Sequence, residues 1–275
     1  MEQSESRKKI LAKIKEFEKD KKFDIDVEDD PETIILMPNM VDYLNKKLSS
    51  KINTAIANRA ATKYFEKLIK QKQLIIDNVI GIENFLSVKT GAIITCNHFN
   101  PYDNYAVWRV IKPYMGRRRL WKVIREGNYT NFPGFYGYIF KNCNTLPLSS
   151  NVETMKNFLS AVDTLLNRGE KILIYPEQAM WWNYKKPRPL KMGAYKFAVT
   201  SNVPVIPMFI TMSDSDILDA DGYYVQKYVV HILPPIYPKP ELTNKENMQY
   251  MRDENYKLWV KTYENTYKCK LKYEE

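Results

Sequence analysis

The chain predicts an α/β fold, a largely parallel central sheet flanked by helices and preceded by an N-terminal helical segment. Short apolar, β-branched runs recur from about residue 75 onward. Stretches with apolar residues at helical spacing separate them. Two of the runs end in polar loops rich in chemistry-bearing residues, where open α/β sheets generally place their sites.

In chain order, Ile10, Leu11, Ile14 and Phe17 form a short apolar stripe among Arg7, Lys8, Lys9, Lys13 and Lys15, an amphipathic helix suited to a surface or to the core. An acidic connection follows from Asp24 to Glu32. Val41, Leu44, Leu48, Ile52, Ile56, Tyr64 and Leu68 then recur at helical spacing, which predicts one or two helices packed on the core. Strands are expected near 75–82, 92–97, 144–148, 171–175, 204–210 and 226–233. Helices are expected near 101–112, 153–167, 190–201 and 244–267. The division is an N-terminal helical region, 1–72, and an α/β domain, 73–275.

Composition bounds the function. The chain has 275 residues, 13% of them aromatic, and a net charge of +10. That charge favours anionic partners: lipid headgroups, nucleic acid or an acidic carrier protein. The basic residues are dispersed and no nucleic-acid motif is present, so no nucleic-acid partner is expected. Cys96, Cys143 and Cys269 form no paired framework, which fits a reducing cytoplasm. No signal-peptide core opens the sequence, and no stretch approaches the roughly 20 apolar residues of a membrane span. The expectation is a cytoplasmic protein, peripheral at the inner face of the membrane. A lysine- and asparagine-rich composition suggests a bacterial source. Two stretches, Gly116–Lys122 and Trp181–Arg188, mix cations with Trp or Tyr as membrane-water boundaries do. The tryptophans of the second either face a lipid or fold back onto the core.

Chemistry concentrates at Thr95-Cys96-Asn97-His98-Phe99-Asn100-Pro101-Tyr102-Asp103. A buried strand leads into it, Asn100 reads as an N-cap, and Asp103 falls at the third helical position. His98 then stands in the loop and Asp103 can fold back toward it. Imidazole is a good base near neutral pH, and a carboxylate on one ring nitrogen fixes its tautomer. With no adjacent Ser or Cys nucleophile, the pair suits direct deprotonation of a substrate hydroxyl. As an acid near a helix start, Asp103 is also explained by capping alone. His231, the second histidine, sits inside an apolar run and reads as structural. No Cys-His-Asn pattern, metal-ligand spacing or Gly-rich phosphate loop is present, so neither a metal nor a cofactor is expected.

A second strand-like run, Lys171–Tyr175, ends in Pro176-Glu177-Gln178, followed by Lys191-Met192-Gly193 and Val203-Pro204-Val205-Ile206-Pro207. With Asn97, His98 and Asp103, this succession resembles the glycerolipid acyltransferase family, of which lysophosphatidic acid acyltransferase is the best-known member. The family's Asn-His-x-x-x-x-Asp motif is matched in full. Its Pro-Glu-Gly-Thr-Arg motif is matched at Pro176 and Glu177, its Lys-x-Gly at Lys191 and Gly193, and its Val-Pro strand at 203–207. The likeness extends over about Val79 to Ile236.

The resemblance implies an O-acyltransferase. His98 would be the general base, Asp103 its partner, and an acyl thioester, acyl-CoA or acyl-ACP, the donor. The acceptor would be a lipid, such as a lysophospholipid. Asn97, Glu177, Gln178, Lys191 and Gly193 would bind or position substrate, and backbone N–H groups of the two loops would stabilise the oxyanion. The chain departs from the family where arginines hold the acceptor's phosphate: Ser149 or Ser150 stands in one place, and Gln178-Ala179-Met180 replaces Gly-Thr-Arg. Guanidinium is the group best suited to a phosphate. Either the acceptor is a non-phosphate one, such as a glycolipid, a polyol or a natural product, or other cations meet the phosphate. Lys185, Lys186, Arg188 and Lys191 are candidates.

Overall fold

A computed structural model describes residues 3–29 and 32–274. Helix α1 (Glu5–Lys19) and helix α2 (Leu48–Lys70) form the N-terminal region. Then come β1 (Ile75–Ile80), α3 (Ile82–Ser87), β2 (Ala92–Thr95), α4 (Asp103–Ile111), β3 (Leu120–Ile124), α5 (Glu126–Thr130), α6 (Gly134–Asn142) and β4 (Thr145–Pro147). The chain continues through α7 (Val152–Asn167), β5 (Lys171–Ile174), α8 (Gly193–Thr200), β6 (Val205–Leu218), β7 (Tyr224–Ile232) and α9 (Asn244–Tyr267).

The strands form one sheet in the order β1-β7-β6-β2-β5-β3-β4. Every neighbouring pair is parallel except β6 and β7, which run antiparallel. Successive side chains of a strand point to opposite faces. Ile94, Leu173, Ile206 and Met208 pack under α2, α3 and α4. Ile93, Ile172, Val205 and Phe209 pack against α7, α8 and α9. Helices thus cover both faces, as parallel sheets require. Their carboxyl ends bring the loops after β2, β3, β4 and β5 to one edge.

The sequence missed β3. Lys122 interrupts its apolar pattern and Arg117-Arg118-Arg119 precedes it, so the segment reads as a basic surface stretch, yet Leu120 and Trp121 are buried. Helix α4 begins at Asp103 rather than at Pro101. Asn100 makes a turn of its own, its Oδ1 accepting the Tyr102 N–H at 3.0 Å. Strand β6 runs to Leu218, well past residue 210, because it pairs with β7 along its length.

In α2, three small residues and two large ones face the core: Thr54, Ala57 and Ala61, with Phe65 and Leu68. Leu48, Ile52 and Ile56, read from the sequence as core residues, point outward, with exposures of 73%, 51% and 53%. Helix α1 docks through Ile14 beside Phe23, Val27, Ala179 and Trp181. The tryptophan stretch folds inward: Trp181 is fully buried, its Nε1 donating to the Ile25 carbonyl at 2.8 Å, and Trp182 is buried under Arg7. Among the described residues no helix is long and apolar enough to cross a membrane.

Candidate active site

Strands β2 and β5 are parallel neighbours, with Thr95 opposite Ile174. His98 follows one strand by three residues and Tyr175 follows the other directly. His98 Nδ1 lies 2.7 Å from Asp103 Oδ2. Asp103 is fully buried. The same Oδ2 accepts the N–H groups of Phe99 at 3.1 Å and Asn100 at 3.3 Å, which folds the loop around the carboxylate. Its other oxygen, Oδ1, accepts the Tyr175 hydroxyl at 2.6 Å. The Tyr175 ring lies flat on the imidazole, with centroids 3.9 Å apart and planes 16° apart. Burial, with the Asp103 charge beside it, pushes the Tyr175 hydroxyl well above its usual range, so it stays a donor. With Nδ1 engaged by the carboxylate, Nε2 is the ring nitrogen left to take a proton.

His98 opens onto a cavity of about 1030 Å³, at the upper limit of the usual size of small-molecule sites. Phe65, Tyr105, Trp108, Phe132 and Phe140 give it an apolar wall, and Gln178, Lys191 and Gly193 also line it. Gln178 has a φ of 67°, a left-handed conformation that glycine adopts freely and glutamine at a cost. It stands where the family motif has Gly. The Lys191 ammonium pairs with Asp24 at 2.6 Å. At Gly193 a Cβ would meet nothing within 4 Å, so its smallness serves no close packing of helix on sheet.

Two of the residues expected to bind substrate are turned away from the cavity. Asn97 is buried, donating to the Ile210 carbonyl at 3.0 Å and accepting the Ile210 N–H at 2.8 Å. It fastens the end of β2 to β6. Glu177 is 2% exposed. One of its oxygens accepts the His98 N–H at 3.0 Å and the Arg188 guanidinium at 2.8 Å; the other accepts the Arg188 N–H at 2.8 Å. Both side chains are spent on loop architecture. Arg188, read as a possible phosphate ligand, is 1% exposed, and it also donates to the carbonyls of Phe23 and His98. Lys186 is held by Glu18.

The expected oxyanion donors are also committed. In the first loop the N–H groups of residues 98–100 go to Glu177 and Asp103. In the second loop, Gln178 and Ala179 donate to backbone carbonyls, Met180 to Asp26 and Trp181 to the His98 carbonyl.

Sequence reasoning missed Tyr175, concealed as the last residue of an apolar run, and two cations, one on β3 and one just after it. Arg125 lines the cavity at the strand end, paired with Asp26 and donating to the Gln178 carbonyl at 2.8 Å. Lys122 lines it too; its N–H donates to the Asn144 carbonyl at 2.9 Å, and its ammonium makes no hydrogen bond or ion pair among the described residues. Burial lowers its affinity for a proton, and the Cys143 thiol beside it partly offsets that. A lysine inside a strand-like run between two apolar pairs was the available signal.

Residues 77–211 match the family model described as acyltransferase. A comparison with curated proteins gives no match. Among solved structures, the 1-acyl-sn-glycerophosphate (LPA) acyltransferase PlsC from Thermotoga maritima has a similar fold, with 20% identity, coverage of 81% of each chain and a TM-score of 0.50. The matched segment runs from β1 into β6 and carries the His98–Asp103 pair, both strand-end loops and most of the cavity wall. The chain thus carries an acyltransferase domain, on a fold like that of PlsC, and is an acyltransferase.

Proposed function

We propose that the enzyme moves a fatty acyl group from an acyl thioester, acyl-CoA or acyl-ACP, to a hydroxyl of a lysophospholipid such as 1-acylglycerol-3-phosphate. The observation that carries this reading is the His98–Asp103 pair, 2.7 Å apart, at the wall of a large aromatic cavity. His98 Nε2 takes the acceptor's hydroxyl proton as the oxygen attacks the thioester carbon. Asp103 holds the imidazole tautomer and stabilises the imidazolium that forms. The tetrahedral intermediate then expels the thiolate, and the imidazolium returns the proton to sulfur. The aromatic wall takes the hydrocarbon chain. Gln178 and Lys191 line the same cavity as His98 and serve as polar contacts for the acceptor. Lys122, whose ammonium has no partner among the described residues, meets the acceptor's anion. No metal or cofactor takes part.

A second reading, a non-phosphate acceptor, draws on one observation. Asp26 and Asp24 already pair with Arg125 and Lys191, two cations at the cavity. The acidic connection thereby occupies charge that a phosphate would otherwise use.

The lipid substrates are met at a membrane surface. Leu48, Ile52 and Ile56 form an exposed apolar row on α2, flanked by the exposed Lys47, Lys51 and Arg59. That combination suits an anionic bilayer.

The test is thioester consumption with a long-chain donor and a panel of acceptors: lysophosphatidate, other lysophospholipids, a lysoglycolipid and none. His98→Ala should lower turnover by about 10²-fold or more. Equal turnover in parent and variant would sink the general-base reading. Preference for the lysoglycolipid would favour the second one.

A further inference from the structure

Tyr175 makes two contacts with the His98–Asp103 pair at once. Its hydroxyl donates to Asp103 Oδ1 at 2.6 Å, and its ring covers one face of the imidazole at 3.9 Å. Asp103 is fully buried, so each of its lone pairs depends on a protein donor. Oδ2 has the imidazole and two backbone N–H groups, and Tyr175 supplies the hydrogen bond to Oδ1. A phenylalanine would retain the ring contact and leave that oxygen bare.

We propose that Tyr175 is a positioning residue that sets the basicity of His98 by sharing the Asp103 carboxylate with it. This rests on the reading of His98 as general base. A carboxylate that accepts a hydroxyl on one oxygen has less charge to offer the imidazolium at the other. The Tyr175 bond therefore weakens Asp103 as a counter-ion and keeps more of His98 neutral, the form that accepts the acceptor's proton. The stacked ring fixes the imidazole plane, so the shared proton stays in line with Oδ2. Asp103 and Tyr175 face the His98 ring, while Glu177 and Arg188 contact only its main chain, at N–H and carbonyl. Of these, Tyr175 can be altered without removing a charge.

The chain has only two histidines. In protein labelled at the histidine ring, His231→Gln assigns the two signals, and the titration midpoint of His98 can be followed by NMR without substrate. In Tyr175→Phe the midpoint should move to higher pH by about half a unit or more, because the imidazolium gains the whole carboxylate. The acid limb of kcat against pH should move the same way. Replacing Tyr175 with 3-fluorotyrosine, a stronger donor of the same shape, should move both to lower pH. This second variant also serves if Tyr175→Phe fails to fold. A midpoint that stays put in the substituted protein, or moves the same way in both variants, overturns the proposal. The two readings fail separately: a fully active His98→Ala removes the general base, whereas an inactive His98→Ala with unmoved midpoints removes only the role of Tyr175.

Discussion

Glu177 and Arg188 form a buried ion pair that holds the loops after β2 and β5 together. Removing one partner of such a pair leaves the other charge uncompensated, at about 3–5 kcal/mol. Glu177→Gln should therefore lower the melting temperature by roughly 10 °C in a calorimetric scan. A scan that superimposes on the parent's would mean that the pair is dispensable. Lys122 gives the opposite pattern. Its charge is a burden on the free protein and useful only when an anion arrives. Lys122→Met should leave the melting temperature unchanged or higher while raising the KM for a phosphate-bearing acceptor about tenfold or more. An unchanged KM would point to an uncharged acceptor. His98 and Asp103 were legible in the sequence because four ordered motifs framed them. Glu177 and Arg188 were named but not paired: eleven residues separate them, and only the loop after β5 brings them together. Gln178 stood out as a departure from glycine, but its left-handed backbone could be seen only in the fold.

Among the elements, α2 departs most from expectation. Its apolar residues mark two faces, and spacing alone assigned both to the core. The core side is built instead from the small Ala57 and Ala61 with the larger Phe65 and Leu68. Replacing Leu48, Ile52 and Ile56 together with Ser should weaken sedimentation with anionic vesicles several-fold. Stability should change little, because surface substitutions generally cost within about 0.5 kcal/mol each. Unaltered vesicle binding would move the membrane contact elsewhere. The strands near 75, 92, 171 and 226 were readable because β-branched runs bounded by turn residues have few alternatives. Strand β3 was not, because a cavity-facing lysine and an arginine cluster disguise it. Helices α5 and α6 were missed as well; their aromatic, glycine-bearing segments lack a clean helical period.

Over the whole molecule, burial leaves a pH signature at His231. His231 lies on β7 with its Nε2 2.9 Å from the Thr211 hydroxyl, and burial lowers its pKa below the ordinary 6.5. The unfolded chain then binds this proton more readily than the folded one. Stability is intact above about pH 6.5 and declines as the pH falls toward the lowered folded value. His231→Gln should flatten that part of a urea-midpoint curve measured from pH 7.5 to 5. An identical slope in the variant would assign the decline to the carboxylates. The α/β architecture was legible from the alternation of runs. The long-range ties around Arg188 were not, since they connect segments with no shared pattern.

Those ties govern when the enzyme can first work. The carbonyl of Phe23 holds Arg188, Ile210 holds Asn97, and Glu18 takes the N–H of Glu274, 256 residues away. The Tyr273 hydroxyl donates to the Pro187 carbonyl at 2.6 Å, closing on the same loop. During synthesis, His98 and Asp103 leave the ribosome long before Arg188, Ile210 and Tyr273 do. A nascent chain carrying the complete dyad would still lack the supports that set its geometry. Catalysis would switch on only after residues near 273 emerge, so a half-made copy would be silent.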